Sequence, residues 1–171
     1  MTTIISRYTQ ELLDAHQCQG QTNNCGPFSA TIVLNAVRKK TFKGMELAEQ
    51  MNTPRLRGVL PVVRRIPGWA TFPWGVADIL MENGLRADWR VNASFDDLRQ
   101  ALLVGKIPMP IYGEWKPLWA HIATLTAYDS EKGWGFVDSA QPDSKIYWHP
   151  RDDFEPKWDA FGNLVVIVDP E

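Results

Sequence analysis

The sequence has little that would mark an exported or disulfide-stabilised protein. Its 171 residues include only two cysteines, Cys18 and Cys25, which are too few for a disulfide framework. The N-terminus lacks a basic segment followed by a long apolar run, so no signal peptide is visible. No apolar run approaches the length of a membrane span. We therefore expect reduced thiols, a cytoplasmic location and no membrane partner.

An excess of charge of one sign is also missing. Eighteen Lys and Arg residues stand against 20 Asp and Glu residues, for a net charge of −2 and a pI near 5.9. The basic clusters 38–40 and 55–65 are typical of solvated faces, so we expect no nucleic-acid partner. Internal repeats and linker-like stretches are absent as well. The sequence therefore predicts a single domain over residues 1–171.

The first half of the chain carries helical patterns. Residues 1–24 show too little periodicity to predict an element. Residues 27–40 are apolar or small almost all round and end in Arg-Lys-Lys, which predicts a mostly buried helix. Segment 53–73 is rich in proline and glycine and predicts a loop, with a helical turn as one option over Leu60 to Ile66. Further helices are predicted over 44–52, 74–85 and 94–105, where Ser94 is the expected N-cap.

The second half is strand-like. Runs of β-branched and aromatic residues separated by turn residues predict an antiparallel sheet. A short helical pattern interrupts it at 150–158. Helices first and strands later predict an α+β domain with two lobes. The expected strands cover 107–115, 119–129, 134–140, 145–149 and 163–169.

Cys25 lies directly before Gly26-Pro27 and the first predicted helix. A thiol attacks as its thiolate, and the positive end of a helix dipole lowers the pKa of a cysteine placed there. Gly26 leaves room for another backbone or a substrate to approach. A cysteine before a helix is more commonly a small buried hydrophobe, so a nucleophilic role depends on partners elsewhere in the chain.

A nucleophilic cysteine needs a base, a group that orients the base, and donors for an oxyanion. His121 starts one predicted strand and Asp138 ends the next, and a hairpin between these strands can bring the two side chains together. Gln19 lies six residues before Cys25 and can place its side-chain NH2 beside the backbone N–H of Cys25. These four residues form a candidate catalytic set.

The sequence offers alternatives to these partners. His16 and His149 are other candidate bases, although His149 precedes a proline at a strand-to-helix junction typical of a surface turn. Asp129 is another candidate for orienting the base, but it lies in a turn where aspartate is common for local reasons. A metal cluster of His16, Cys18 and Cys25 lacks the ligand spacing of zinc sites, so we expect no metal.

Two segments carry a family resemblance. QGQTNNCGPFSATIVLNA and HIATLTAYDSEKGWGFVDSA resemble the papain-superfamily cysteine peptidases, closest to the C39-like family. That family shows a Gln, a short spacer, Cys-Gly and an apolar helix, then a distant His and an Asp or Asn about a strand later. The resemblance implies Cys25 as nucleophile and His121 as base. It also implies Asp138 as the residue that orients the base, and Gln19 in the oxyanion hole.

The same resemblance implies a fold and an activity. The fold is papain-like and two-lobed, with a helical N-terminal half whose buried nucleophile helix packs on a C-terminal antiparallel sheet. The activity is that of a bacterial hydrolase that cleaves a peptide or protein substrate through an acyl-enzyme, without metal or organic cofactor. Phytochelatin synthases resemble the same pattern, so acyl or γ-glutamyl transfer is one alternative. A non-catalytic, peptidase-like binding module is another, although a pure binder has no need of all four residues together.

Aromatic residues supply candidates for substrate binding. Trp115 and Trp119 lie shortly before His121 and can wall a groove beside the base. Trp74 lies in the Trp-rich segment PGWATFPWG, which can either wall a groove or cover the core. Together with Gly26, these three tryptophans form the candidate substrate-binding set.

Overall fold

The computed structural model describes residues 2–171, apart from the side chain of Arg57. Helices and strands alternate irregularly along the chain, with most helices in the first half. In order, the elements are β1 (Thr3–Ile5), α1 (Thr9–Asp14), α2 (Cys25–Arg38), α3 (Gly44–Asn52), β2 (Arg55–Arg57), β3 (Leu60–Val62), β4 (Arg65–Ile66), β5 (Ala70–Thr71), α4 (Pro73–Glu82), β6 (Arg86–Arg90), α5 (Phe95–Leu103), β7 (Ile107–Trp115), β8 (Leu118–Ile122), β9 (Thr124–Asp129), β10 (Gly133–Val137), β11 (Tyr147–His149), α6 (Arg151–Asp159) and β12 (Val165–Asp169).

Helix α2 is buried over most of its length, as its composition predicts. Every residue from Gly26 to Leu34 is inaccessible or nearly so. Pro27 occupies the first turn, where the missing N–H has no intrahelical partner to lose. The helix ends at Arg38 because Lys39 adopts a left-handed conformation with φ near 50°. Tertiary burial therefore holds this helix, since its β-branched residues are only moderate helix formers.

The other predicted helices of the first half are confirmed. Helix α5 begins as its sequence predicts, because the Ser94 hydroxyl accepts the Asp97 N–H at 3.1 Å and the Asp97 carboxylate accepts the Ser94 N–H at 2.8 Å. Gly84 and Gly105 follow α4 and α5 with φ of 87° and 76°, which favours glycine where the chain leaves each helix. The N-terminal elements β1 and α1 are too short to show periodicity.

The α+β class with antiparallel strands is confirmed, but the strands form two main sheets. One four-stranded sheet has the order β1-β9-β10-β11, and the other has the order β6-β12-β7-β8. All neighbouring pairs are antiparallel. Each sheet includes one strand that precedes the run of strands β7–β12, because β1 pairs with β9 and β6 pairs with β12.

Segment 53–73 is more regular than its composition predicts. The helical turn considered for Leu60 to Ile66 is wrong, because these residues belong to β3 and β4. Strand β3 pairs with β2, and β4 pairs with β5, which makes two short hairpins. Pro61 and Pro67 are poor helix formers. Each strand of the two hairpins is also too short to show an amphipathic pattern in the sequence.

The single strand expected over 119–129 is also wrong, because the chain changes sheet in its middle. Residues 118–122 form β8 and pair with β7, whereas residues 124–129 form β9 and pair with β1 and β10. The buried Ala123 joins the two strands. This step matters for the site, since it places His121 on one sheet beside the end of β10 on the other.

Two apolar clusters form the core. One surrounds α2 and includes Cys25 at its edge, while the other is rich in aromatic residues from β10 and α6, such as Trp134 and Phe154. Ile122 belongs to the first cluster and its neighbour Ala123 to the second, so β8 leads into the boundary between them. Within residues 2–171, none of the helices combines the length and the apolar character that a membrane span requires.

Candidate active site

Cys25 is the first residue of α2 and is half-buried. Asn24 occupies the N-cap, yet its side chain does not cap the helix. The backbone of Gly26 and of Ile122 instead lies close enough to the Cys25 thiol to lower its pKa. A bond from the Ser29 hydroxyl to the Ile122 carbonyl, 3.0 Å long, ties α2 to β8 at this point. The thiol therefore lies at the positive end of a long buried helix.

His121 reaches the same place from β8. Its side chain is 13% exposed, and its Nε2 lies 2.7 Å from Oδ1 of Asp138. Because Asp138 engages Nε2, the other ring nitrogen, Nδ1, is left for the Cys25 thiol, whose interaction with His121 raises the pKa of the imidazole. Tyr112 lies opposite His121 in the β7–β8 register, and its ring meets the imidazole edge to face. The imidazole is thus held from two sides.

Asp138 follows the last residue of β10 and is 4% exposed. Its Oδ1 accepts two hydrogen bonds, one from His121 and one from the Ala140 N–H at 2.8 Å. Burial favours the neutral acid, but these bonds and the His121 charge outweigh it and lower the pKa of Asp138. The carboxylate is therefore ionised and fixed in orientation.

The thiol and the imidazole shift each other's proton affinity. Burial raises the pKa of a thiol, yet the hydrogen bond and charge of His121 outweigh burial and lower the pKa of Cys25. Burial lowers the pKa of His121, but hydrogen bonds to Asp138 and Cys25 outweigh it and raise that pKa to about 10. A thiolate–imidazolium pair is consequently favoured over the neutral thiol and imidazole.

Gln19 lies beside the end of β10. Its backbone N–H donates to the Ser139 carbonyl at 2.8 Å, and its Oε1 accepts the Ser139 hydroxyl at 2.9 Å. Its Nε2 donates to the Thr22 carbonyl at 2.8 Å, which uses one of the two hydrogens of the amide. The carboxamide is therefore oriented by the residue that follows Asp138.

The neighbouring amides differ in their surroundings. The Gln17 side chain donates to the Phe42 carbonyl and accepts the Gly44 N–H, so it holds the start of α3. Gln21 is exposed on the loop before α2. The position of Gln19 next to Ser139 thus sets it apart from both.

The side chains of the alternative bases and carboxylate have other partners. His16 contacts the Asp138 carbonyl through Nε2 at 3.0 Å, while the His149 ring pairs with Asp153 of α6 at 3.1 Å. Asp129 accepts the Thr3 hydroxyl and turn N–H groups, which lower its pKa to about 2. Within residues 2–171, none of these three side chains forms a hydrogen bond or ion pair with Cys25 or with the His121 ring. No group of three or more His, Cys, Asp or Glu side chains in residues 2–171 is arranged to hold a metal ion.

The structure separates the four candidate substrate-binding residues. Trp119 is 36% exposed, two positions before His121 on the same strand face, and both rings contact Tyr112. The Trp115 ring stacks on Phe161 at 5.1 Å and its Nε1–H donates to the Ala160 carbonyl, so the segment that follows α6 fixes it although it is exposed.

Trp74 and Gly26 have packing partners of their own. Trp74 stacks on Phe72 at 4.6 Å and meets Trp89 of β6. A Cβ at Gly26 would lie 2.6 Å from the side chain of Thr71, so the close approach that glycine permits here is made by β5. Trp119 is therefore the aromatic residue of the set that adjoins the imidazole.

Sequence reasoning missed several residues at the site. Arg65 is 5% exposed and donates to Asn24 at 2.7 Å, and Ser139 orients Gln19. Tyr112 supports the imidazole from β7. Arg65 lies in an apparent loop, where a buried guanidinium has no sequence signal. Ser139 could have been found, since it follows Asp138 directly.

Alkylation tests the electrostatics of the thiol. We expect iodoacetamide to modify Cys25 at least tenfold faster than the exposed Cys18 at pH 6, because an ordinary thiol is only roughly 0.3% thiolate at that pH. The alkylation rate of Cys25 should remain high below pH 7, because the pKa of this thiol is lowered. Peptide mapping by mass spectrometry measures both rates in one sample. Preferential labelling of Cys18 would contradict the electrostatic argument.

Comparisons with known proteins bear on the fold and the family of the chain. A crystal structure from Bacillus anthracis, described as that of a "putative C39-like peptidase", superimposes with a TM-score of 0.74 over 99% of this chain and 98% of the other, at 13% identity. At this identity the likeness shows the fold. No curated protein matches the sequence. The model of the Peptidase_C39 like family matches residues 4–166, and the chain therefore belongs to the C39-like peptidase family.

Proposed function

We propose that this protein is a cysteine peptidase that hydrolyses a peptide or amide bond through an acyl-enzyme on Cys25. Family membership supports a peptidase-type function in general. The observation that carries the specific proposal is the His121 imidazole, which contacts the Cys25 thiol and lies 2.7 Å from Asp138. A base with an orienting carboxylate on one side and a helix-start thiol on the other is what nucleophilic cysteine catalysis needs.

The proposed reaction proceeds in two halves. The Cys25 thiolate attacks the substrate carbonyl, a C–S bond forms, and the His121 imidazolium gives its proton to the departing amine as the C–N bond breaks. Water then gives a proton to the neutral His121 and attacks the thioester. The carboxylic acid product leaves, and the C–S bond electrons return to Cys25. Asp138 keeps the imidazole in one orientation and stabilises its charged form.

The oxyanion is proposed to lie between two donors. Cys25 opens α2, so its backbone N–H has no intrahelical acceptor. Gln19 has a second amide hydrogen beyond the one it gives to Thr22. Charge develops on the substrate oxygen only after attack, so donors at this place would stabilise the transition state more than the bound substrate.

The finer description of the fold belongs to the same proposal. The helices α1–α4 would form one lobe and the two sheets the other, with the site between them as in papain. A cytoplasmic location is also proposed, because a nucleophilic Cys25 has to remain reduced, and both cysteines are free thiols. The substrate would be a peptide or protein that lies along Trp119, the exposed aromatic neighbour of His121.

A peptide library tests the proposed activity. We expect the wild-type protein to produce new peptide termini, and Cys25→Ala to produce none. Digestion in the presence of a primary amine separates hydrolysis from acyl transfer, since a transferase would yield the amide adduct as its main product. Lack of cleavage and of transfer by the wild-type protein, with Cys25 still alkylated at pH 6, would instead favour a binding module.

The carboxylate partner should tolerate an isosteric change. Both hydrogen bonds of Asp138 go to Oδ1, an atom that asparagine keeps, so Asp138→Asn should preserve the imidazole orientation and remove only the charge. We expect kcat/KM to fall about tenfold, less than the roughly hundredfold low end of a general acid–base contribution, because the imidazole keeps its orientation. Asp138→Ala should lower kcat/KM further, because the orientation of the imidazole is lost too. Equal activity of both variants, measured by peptide cleavage, would show that Asp138 does not orient His121.

A further inference from the structure

Arg65 is a buried cation beside the helix that carries Cys25. It lies on β4 and is 5% exposed. Its guanidinium donates to the Asn24 side-chain oxygen at 2.7 Å and to the Ala48 carbonyl of α3 at 3.1 Å. Its Nε has no hydrogen-bond partner within the described part of the chain. A guanidinium stays charged in proteins, so a full positive charge is enclosed here.

Among the residues that the structure describes, no carboxylate pairs with the Arg65 guanidinium. The adjacent Arg64 is equally buried and provides a contrast, since it pairs with Glu82 at 2.7 Å and donates to the Thr53 carbonyl. Burial lowers the pKa of Arg65, and the anion that opposes this shift is the Cys25 thiolate. Enclosing a charge without a carboxylate partner is costly, so a role beyond folding is indicated.

The bond to Asn24 affects the start of α2 directly. An N-cap asparagine ordinarily turns its side-chain oxygen onto the N–H groups of the first turn. Here that oxygen accepts from Arg65, and the amide nitrogen contacts the Met45 sulfur at 3.4 Å. The first turn is left without a side-chain cap, and the Gly26 N–H is free to contact the thiol.

The strand that carries Arg65 is itself seated on the helix start. Arg65 pairs with Thr71 in the β4–β5 hairpin. The Thr71 side chain lies so close to Gly26 that a Cβ there would be 2.6 Å away. Asn23 also donates to the Gly68 carbonyl at 2.8 Å. The hairpin therefore has a defined position against the residues on both sides of Cys25.

We propose that Arg65 is a positioning residue of the active site, which draws Asn24 away from the helix cap and places a buried positive charge near Cys25 to stabilise its thiolate. His121 remains the dominant positive neighbour of the thiol. Tyr112, which faces the site from β7, is neutral because burial, Asp138 and Cys25 raise its pKa. Arg65 is therefore a second, permanent cation whose effect does not change with pH near neutrality.

The test is the pH profile of Cys25 alkylation by iodoacetamide, in a Cys18→Ser background. Arg65→Gln should move the acidic limb of the profile up by about one pH unit, the low end for loss of an opposite charge near a titrating group. Alkylation below the limb would then be about tenfold slower, with the alkaline plateau unchanged. Arg65→Lys keeps the charge and should stay close to the wild-type profile. Arg64→Gln removes an equally buried arginine and should lower the melting temperature without moving the limb.

The outcomes separate this proposal from the proposed function on which it rests. An unmoved limb in folded Arg65→Gln, or an equal shift in Arg64→Gln, would overturn the role of Arg65 alone. A wild-type limb at the position of an ordinary thiol would overturn the nucleophile itself. If Arg65→Gln does not unfold cooperatively, Arg65→Lys decides, since a shift of a full unit with the charge retained would contradict the proposal.

Substrate kinetics supply a second readout. Arg65 also borders a cavity of about 430 Å³ lined by Gln21, Asn24 and Glu49, where it could bind a substrate carboxylate. Under the proposal, Arg65→Gln lowers kcat at acidic pH with little change in KM for any peptide. A rise in KM confined to acidic peptides, with an unmoved alkylation limb, would show that Arg65 recognises substrate and would overturn the positioning role.

Discussion

Replacing His121 by alanine should remove nearly all turnover and most of the reactivity of Cys25 at acidic pH. The imidazole lowers the Cys25 pKa against the effect of burial, so in its absence burial would raise that pKa above the ordinary value. Thiolate at pH 6 would then fall below roughly 0.3% of the protein. Loss of proton transfer to the leaving amine adds to this, and we expect kcat/KM to fall by roughly a thousandfold. Peptide cleavage and Cys25 alkylation should be measured on the same preparation.

His149→Ala is the matched control for this prediction. His149 is also half-buried and also pairs with a carboxylate, Asp153, at 3.1 Å, but it lies at the β11–α6 junction. We expect His149→Ala to leave the pH dependence of Cys25 alkylation unchanged. A larger loss of turnover in His149→Ala than in His121→Ala would mean that a histidine other than His121 is the base.

Gln19→Ala should separate chemistry on the substrate from reactivity of the thiol. Alkylation forms no oxyanion, so the rate of Cys25 modification should remain nearly unchanged. Turnover of an amide substrate should fall about a hundredfold or more, which corresponds to about 3 kcal/mol for one oxyanion donor. Gln19→Glu sharpens the test, because it keeps the acceptor for the Ser139 hydroxyl and removes the amide donor. Gln19→Glu should lose at least as much kcat/KM as Gln19→Ala, because its carboxylate also repels a developing oxyanion.

Gln21→Ala is the appropriate control for Gln19. Gln21 is exposed on the same loop, whereas Gln17 holds the start of α3 and would disturb folding. Equal small losses of turnover in Gln19→Ala and Gln21→Ala would mean that these amide side chains only shape the loop. Full activity of Gln19→Glu would mean that the Ser139 bond, and not the donor, is the useful feature of Gln19.

The sequence predicts α2 and its N-terminal cysteine well because these features are local. A long apolar run, an early proline and a basic end specify the helix without reference to the rest of the chain. The proximity of His121 and Asp138 is harder to predict, since a simple hairpin between their strands requires one continuous strand over 119–129. The chain instead steps between sheets at Ala123, and this step brings β8 to the end of β10.

The supporting residues were beyond the reach of sequence patterns because their roles depend on long-range contacts. Arg65 meets Asn24 across 41 positions, and Ser139 meets Gln19 across 120. The short hairpins around Arg65 form in a proline-rich segment where local propensity predicts a loop. Local signals thus predict the candidate catalytic residues, while only the tertiary structure reveals what holds them.

Trapping the acyl-enzyme is the most direct test of the central claim. A peptide ester is mixed with the protein, the reaction is stopped with acid within the first turnover, and the adduct is mapped by mass spectrometry. The account predicts one acyl group per protein, on the peptide that contains Cys25, and no adduct in Cys25→Ala. Turnover without an adduct on Cys25, or an adduct of equal abundance on Cys18, would contradict it.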